Sequence, residues 1–268
     1  MPQRYAELTP DELEAAFAKR PLAIVPWGAL EWHGPHLPLG LDGIVAEWFA
    51  EHLADRTEGV LLPGCWMPIT TLPHPASLQI RTEALRMILG DLLGGLYGAG
   101  ARVVCLITGH YAQGHEIELY DGAHRAIERY KEFRVLAAAP LEVLGDDSLL
   151  DHAARSETAQ LLAIRPELVN VSALPANTDA KHAAVLGENP RLASAEEGAT
   201  LLERALSTWT EWVNELVVTP DTEFLRGFYE RRKRDYAPYV KTYFVDSWEQ
   251  AILDWWLTLE GTPKKVMR

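Results

Sequence analysis

Four short apolar runs, Leu22–Pro26, Val60–Leu62, Val103–Thr108 and Val135–Ala139, are separated by longer segments in which apolar residues return every three or four positions. Runs of that length read as strands, and helices between them carry the chain back so that successive strands run parallel. The alternation predicts an α/β fold with a mostly parallel central sheet. In "DGIVAEWFAEHLADR" the residues Ile44, Val45, Trp48, Phe49 and Leu53 share one stripe, and in "TEALRMILGDLLGGLYGAG" Leu85, Ile88, Leu89, Leu92 and Leu96 do the same. Both segments are expected to be amphipathic helices packed on the sheet. With 268 residues, 48% of them hydrophobic, the chain can bury a sizeable core without staples.

Two long loops rich in Pro, Gly and polar residues, "GCWMPITTLPHPAS" and "LPANTDAKHAAVLGENPRLAS", are of the kind that carries function or subunit contacts. After Leu206 the character changes, and five of the nine tryptophans lie beyond it. Residues 1–206 are therefore read as a catalytic domain and 207–268 as a Trp-rich appendage, packed on that domain or on a neighbouring subunit. Trp209 and Trp212, at helical spacing, are expected to pack rather than to stack on a ligand. A net charge of −13 argues against binding nucleic acid or an anionic membrane, and "ERRKR" at Glu230–Arg234 is read as a solvated face or subunit contact. No apolar run approaches the ~20 residues of a membrane span, and the first residues lead into a short helix capped at Thr9 rather than a leader. Cys65 and Cys105 are expected to be reduced, buried thiols, which suits a cytoplasmic protein.

The stretch "GALEWHGPHLPLGLDG", Gly28–Gly43, directly follows the first strand. In an extended chain Glu31 and His33 face one side and Trp32 the other. Pro35 and Pro38 stiffen the loop that brings Asp42 back at the start of the next helix. A carboxylate, an imidazole and a second carboxylate able to bridge are what a hydrolytic two-metal centre needs; a satisfied polar loop is the competing reading. His36, between prolines, is expected to fix the loop. The strand "VVCLI" runs into "TGHYAQGHE", placing His110 at a strand's carboxyl end, where open α/β sheets hold ligands. His110 becomes a fourth ligand candidate, with His115 expected at the surface or behind it. In "DHAARSETAQLLAIRPELV", Glu157 opens a helix, where a carboxylate can simply favour the dipole, and His152 before it is a candidate proton donor. The loop Thr70–Ile80 is expected to face substrate, with His74 either binding it or capping the loop.

These motifs resemble those of the creatininase family of metal-dependent amidohydrolases. "PWGALEWHGPHLPLGLD" is similar to the signature P-x-G-S-x-E-x-H-G-x-H-L-P-x-x-x-D, "ITGHYAQ" to N-G-H-G-G-N, and "HAARSETAQLLAIRPELV" to H-A-G-x-x-E-T-S, in the same order over most of the chain. The resemblance implies a three-layer α/β/α fold, a homo-oligomer with a hexamer among the options, and a small-molecule substrate. It also implies a binuclear centre in which Glu31, Asp42 and His110 hold one ion while His33 and the bridging Asp42 hold the other. The carboxylate completing the second site in creatininase falls here on Ala112, so Glu157 is expected to replace it, as a ligand or as the group orienting the water. His152 matches the histidine that protonates the leaving group. Two divalent ions are implied, zinc foremost, with manganese or iron in one site, activating a water that attacks the carbonyl of a small polar, cyclic or formamide-type C–N substrate. Hydrolysis of a ring C–C bond in an oxidised inositol and non-catalytic binding of a small ligand are the alternatives. Thr108, Tyr111, Ala112 and Gln113 depart from the family pattern, and "LEVLGDDSLLD" lacks the tryptophans that close the creatininase pocket, so creatinine itself is not expected as substrate.

Overall fold

The computed structural model describes residues 2–259. Five strands form one parallel sheet in the spatial order β1 (Gln3–Arg4), β3 (Val60–Leu61), β2 (Leu22–Trp27), β4 (Val103–Thr108) and β5 (Arg134–Ala138). β2 through β5 match the four apolar runs to within a residue or two at each end, and every residue in them is buried. β1 is an addition: a Gln–Arg pair carries no apolar pattern, yet it pairs with Val60 and Leu61 through its backbone.

The chain passes from β2 outward to β3, crosses back over β2 to β4, and continues away to β5. The connections leaving β2 and β4 thus diverge, which opens a crevice at their carboxyl ends. Register brings the two ends level, since Trp27 pairs with Thr108.

Helices pack in two groups. One is α2 (Leu41–Thr57), α5 (Arg155–Ile164) and α7 (Ala195–Val218); the other is α3 (Thr82–Gly98), α4 (Gln113–Arg129), α8 (Glu223–Tyr243) and α9 (Trp248–Thr258). This is the three-layer α/β/α arrangement. α1 (Pro10–Lys19) starts with a Thr9/Glu12 capping box, and α6 (Ala180–Ala183) is a single turn. On α3 the buried stripe runs through Leu85, Leu89, Leu93 and Leu96, while Ile88 turns outward. Among the described residues no helix is long and apolar enough to cross a membrane.

The division after Leu206 falls inside α7, whose buried stripe of Leu202, Leu206, Trp209 and Val213 runs on without a break. Trp209 is fully enclosed and its Nε1–H donates to the Pro140 carbonyl at 3.2 Å, while the Trp212 ring packs edge-on against Phe224 and Phe228. α8 and α9 also fasten to the sheet and its helices within the same chain. The Tyr229 hydroxyl accepts from Ala137 N–H and donates to the Val135 carbonyl, and Trp248 Nε1–H donates to Glu118 at 2.8 Å. The remainder of the expected appendage, residues 260–268, lies outside the described residues.

The basic run needs a correction. Arg231 and Arg234 are solvated, but Arg232 is only 5% exposed. It shares the inward stripe of α8 with Leu225, Phe228 and Tyr229 and enters a polar ring. Arg232 Nε donates to Glu142 at 2.5 Å and Arg232 Nη2 to the Tyr236 hydroxyl at 2.7 Å; Tyr236 donates to Glu116 at 2.5 Å; Tyr120 donates to Glu142 at 2.6 Å and lies 3.3 Å from Glu116. Both thiols are free; Cys105 is buried, whereas Cys65 is only partly so, contrary to the expectation for both.

Candidate metal centre

Glycines let three backbone segments meet at the crevice. A Cβ on Gly109 would lie 2.1 Å from the Asp42 carbonyl oxygen, and one on Gly28 would lie 2.3 Å from Gly43 Cα. The first turn of α2 therefore settles between the ends of β2 and β4 and carries Asp42 into the crevice. From the β2 side come Glu31 and His33, and from the β4 side comes His110, all almost wholly buried.

The orientation of the two imidazoles is set by their remote nitrogens. His33 Nδ1–H donates to the Glu31 carbonyl at 3.0 Å and His110 Nε2–H donates to the Ile69 carbonyl at 2.9 Å. Each ring then turns its other nitrogen inward. His33 Nε2 lies 2.9 Å from Asp42 Oδ1 and 3.5 Å from Glu157 Oε2; His110 Nδ1 lies 2.9 Å from Glu31 Oε2 and 3.3 Å from Asp42 Oδ2. Asp42 thus faces both histidines, one with each oxygen. Ligand atoms of Glu31, Asp42 and His110 lie within 4.8 Å of one another, as do those of His33, Asp42 and Glu157, and those of Glu31, His33 and His152. The first two sets share Asp42 and are the two expected from the resemblance.

The electrostatics call for positive charge at this point. Burial opposes protonation of His33, but Asp42, Glu157 and Glu31 outweigh it and push the imidazole up to about 10. His110 is raised likewise against its burial, by Glu31 and Asp42. Asp42 is held below the usual carboxylate range: His33 and His110 overcome the burial that would raise it. Burial, reinforced by Asp42 and Asp151, keeps Glu157 well above its ordinary value despite His33. Both Asp42 oxygens, Glu31 Oε2 and His33 Nε2 are buried without a hydrogen bond in proper geometry from any described residue. A cluster of carboxylate oxygens and imidazole lone pairs is the donor set of a hydrolytic divalent ion, so the residues fit the group.

The start of α5 supplies the third side. Asp151 caps it, accepting from Ser156 N–H at 2.7 Å and Glu157 N–H at 3.1 Å, a role that the sequence pattern did not reveal. Ala153 sits at φ 49°, in the left-handed region, and its N–H donates to Glu157 Oε2 at 2.6 Å. His152 pairs antiparallel with Leu186, gives Nε2–H to the Trp32 carbonyl at 3.0 Å, and lies over His33 with ring centroids 4.3 Å apart. Burial and the neighbouring His33 lower it to about 4. It is therefore a neutral imidazole near neutral pH.

The other histidines sort themselves clearly. His36 is buried and meets Thr158 Oγ1 at 3.3 Å, fixing the loop to α5. His115 is fully buried, edge-on to His110 at 5.0 Å, so the surface reading does not hold. His74 stacks on Trp32 at 4.7 Å and accepts from Ala76 N–H, a loop cap outside the cavity lining.

Above the cluster lies a cavity of about 440 Å³. Leu72, Leu150 and Leu186 line it, as do Thr70, Tyr111, Gln113 and Asp151, and side chains of α8 and α9 supply a further wall. Tyr111 is one of the departures from the family pattern; burial, with Glu157 nearby, keeps its phenol protonated.

Fold and site together define a class, that of α/β metal-dependent hydrolases. The family profile described as Creatininase: Creatinine amidohydrolase matches residues 6–213. The chain belongs to the creatininase family. It is similar to a mycofactocin precursor peptide peptidase of Mycobacterium ulcerans (strain Agy99), 32% identical over 178 residues, covering 62% of this chain and 67% of that protein. It is also similar to a creatinine amidohydrolase of Pseudomonas putida, 23% identical over 192 residues, covering 62% and 73%. A solved creatininase shares the fold with a TM-score of 0.70 at 21% identity, over 80% of this chain and 97% of that one. The same fold is solved in a manganese form and, as a mutant, in a Zn–Zn form.

Proposed function

We propose that this protein hydrolyses an amide-type C–N bond with two divalent ions, one held by Glu31, Asp42 and His110 and the other by His33, Asp42 and Glu157. The observation that carries the reading is the pair of fixed histidines: each gives one N–H to a backbone carbonyl and turns its other nitrogen to the shared, buried Asp42. Bound divalent ions supply Lewis acidity, lowering the pKa of a water toward neutrality and polarising a carbonyl oxygen. Zinc suits these donors, with manganese or iron in one site as the variant, a choice supported by the metals of the solved relatives.

His152 moves the proton. Its Nε2–H is committed to the Trp32 carbonyl, so in the neutral ring Nδ1 takes a proton from the attacking water and delivers it to the leaving nitrogen. The histidine thus begins as acceptor rather than donor. The water oxygen ends on the carbonyl carbon, the C–N bond breaks, and a carboxylic acid and an amine leave. Both relatives named above cleave C–N bonds by their descriptions, which favours this chemistry over ring C–C hydrolysis and over a non-catalytic binder.

Metal analysis alongside amine-release assays on lactams, formamides and blocked peptides tests the proposal. About two equivalents per chain are expected; retention of one or none after metal supplementation would overturn it. We also place the protein in the cytoplasm, where its free thiols would persist, and expect a homo-oligomer; a monomer mass by light scattering would reject the latter.

A further inference from the structure

The family match ends at residue 213, yet the cavity over the cradle is walled by helices that lie beyond that point in the chain. Pro238, Tyr239, Thr242 and Tyr243 of α8, with Ile252 and Trp255 of α9, line it together with Glu31, Asp42, His110 and Glu157 at its floor. We propose that α8 and α9 form the specificity wall of the site, and that this wall selects an amide whose flanking group is apolar or aromatic and carries no negative charge, such as a peptide side chain, over a small polar lactam. The inference rests on the cradle being a hydrolytic metal centre.

Three observations lead to it. The wall is fixed rather than draped. Arg232 and Tyr236 lock α8 to Glu142 and Glu116, and at the start of α9 Trp248 binds Glu118 while Glu249 accepts from both the backbone and the hydroxyl of Thr82. A rigid wall discriminates by shape, because it does not relax around a poor ligand. Next, the wall is mainly apolar and aromatic, while the polar lining residues Thr70, Gln113 and Asp151 come from other segments. The rings of Tyr239 and Tyr243 lie 5.2 Å apart, both half-exposed, and with Trp255 and Ile252 they face a cavity whose other walls include Leu72, Leu150 and Leu186. No lysine or arginine is among the described lining residues, so an anionic flank would lose its hydration without gaining a cationic partner. Finally, size matters: a cavity of about 440 Å³ falls within the range that encloses ligands far larger than a five-membered lactam. The loop before His152 contributes no tryptophan to close the site, and Trp255 arrives from α9 instead.

The test uses two metal-directed probes, acetohydroxamate and 3-phenylpropionohydroxamate, bound to the metal-loaded full chain and measured by calorimetry, with metal content determined in parallel. In the wild-type protein the phenyl probe is expected to bind at least about tenfold more tightly, as burial of one ring implies. That ratio should fall below about threefold in Trp255→Ala and in Tyr239→Ala, recover in Trp255→Phe, and stay unchanged in Val245→Ala, whose side chain is 82% exposed on the same segment. Equal affinities in a metal-loaded wild type, or a ratio that survives both alanine variants, overturns the wall alone. A chain that takes up no metal and binds neither probe overturns the cradle reading and the wall with it.

Discussion

Glu116 and Glu142 are buried as deeply as Glu31 and Asp42, but hydrogens reach them from Tyr120, Tyr236 and Arg232. A proton on Glu116, which its burial and the neighbouring Glu142 favour, closes that cluster into a ring: Arg232 to Tyr236, Tyr236 to Glu116, Glu116 to Tyr120, Tyr120 to Glu142, and Arg232 again to Glu142. The cradle contains the same residue type at the same depth and is answered differently. Its histidines spend one N–H each on backbone carbonyls, leaving carboxylate oxygens and imidazole nitrogens converged on a small volume. Burial of acids alone does not distinguish structure from chemistry; the direction of the surrounding N–H and O–H groups does.

The contrast breaks most visibly at Asp42. Asp42→Asn should weaken metal binding by more than ~100-fold, since loss of a shared ligand exceeds the 10–100-fold typical of outer partners, and equilibrium dialysis would read it. A variant that still holds two ions would return the cradle to the same category as the ring. Next in size is Arg232→Ala, which leaves Glu142 buried and uncompensated and should cost about 3–5 kcal/mol in urea unfolding. Replacing both partners, as in Glu142→Leu with Arg232→Met, should recover most of that loss, whereas no apolar pair can stand in for the cradle.

A smaller effect comes from Glu116, raised well above its ordinary 4.5 by burial and then by Glu142. The folded chain keeps a proton there that the unfolded chain releases, so this contribution is complete below about 4.5 and is lost as pH rises through the folded-state value. Glu116→Gln keeps a donor in place of that proton, so wild-type stability relative to the variant should decline from pH 5 to pH 8. A difference that is flat, or that grows with pH, would show that the ring holds no such proton. The smallest effect is expected at Asp151, whose two N–H bonds cap α5; Asp151→Ala should cost about 0.5–2 kcal/mol by thermal unfolding.

Much of this was readable from the chain. The four apolar runs located their strands because a strand buried on both faces has nothing but apolar side chains to offer. Glu31, His33, Asp42 and His110 were legible because each stands just beyond the carboxyl end of such a strand or at the start of the next helix. Tertiary partners decided the rest. Arg232 lay hidden in a basic run, although its spacing from Tyr229 and Tyr236 already placed it on the buried stripe. Asp151 carries no such signal, because a cap is recognisable only once the helix start is known. The pocket wall left no local signal, since the return of α8 and α9 over the β2–β4 crevice depends on anchors far away in sequence.

The ligand candidates at the floor of the cavity are complete at Glu157, whereas the side of its wall made by α8 and α9 begins at Pro238. Synthesis runs from the amino terminus, so every ligand candidate leaves the ribosome before the side chains that cover it exist. Ligand candidates and wall are thus separate stretches of chain, so changes at Tyr239, Tyr243 or Trp255 alter the lining without touching a ligand candidate. Trp255→Ala should accordingly hold as much metal as the wild type by metal analysis, and a loss of metal in that variant would show that wall and floor are not separable.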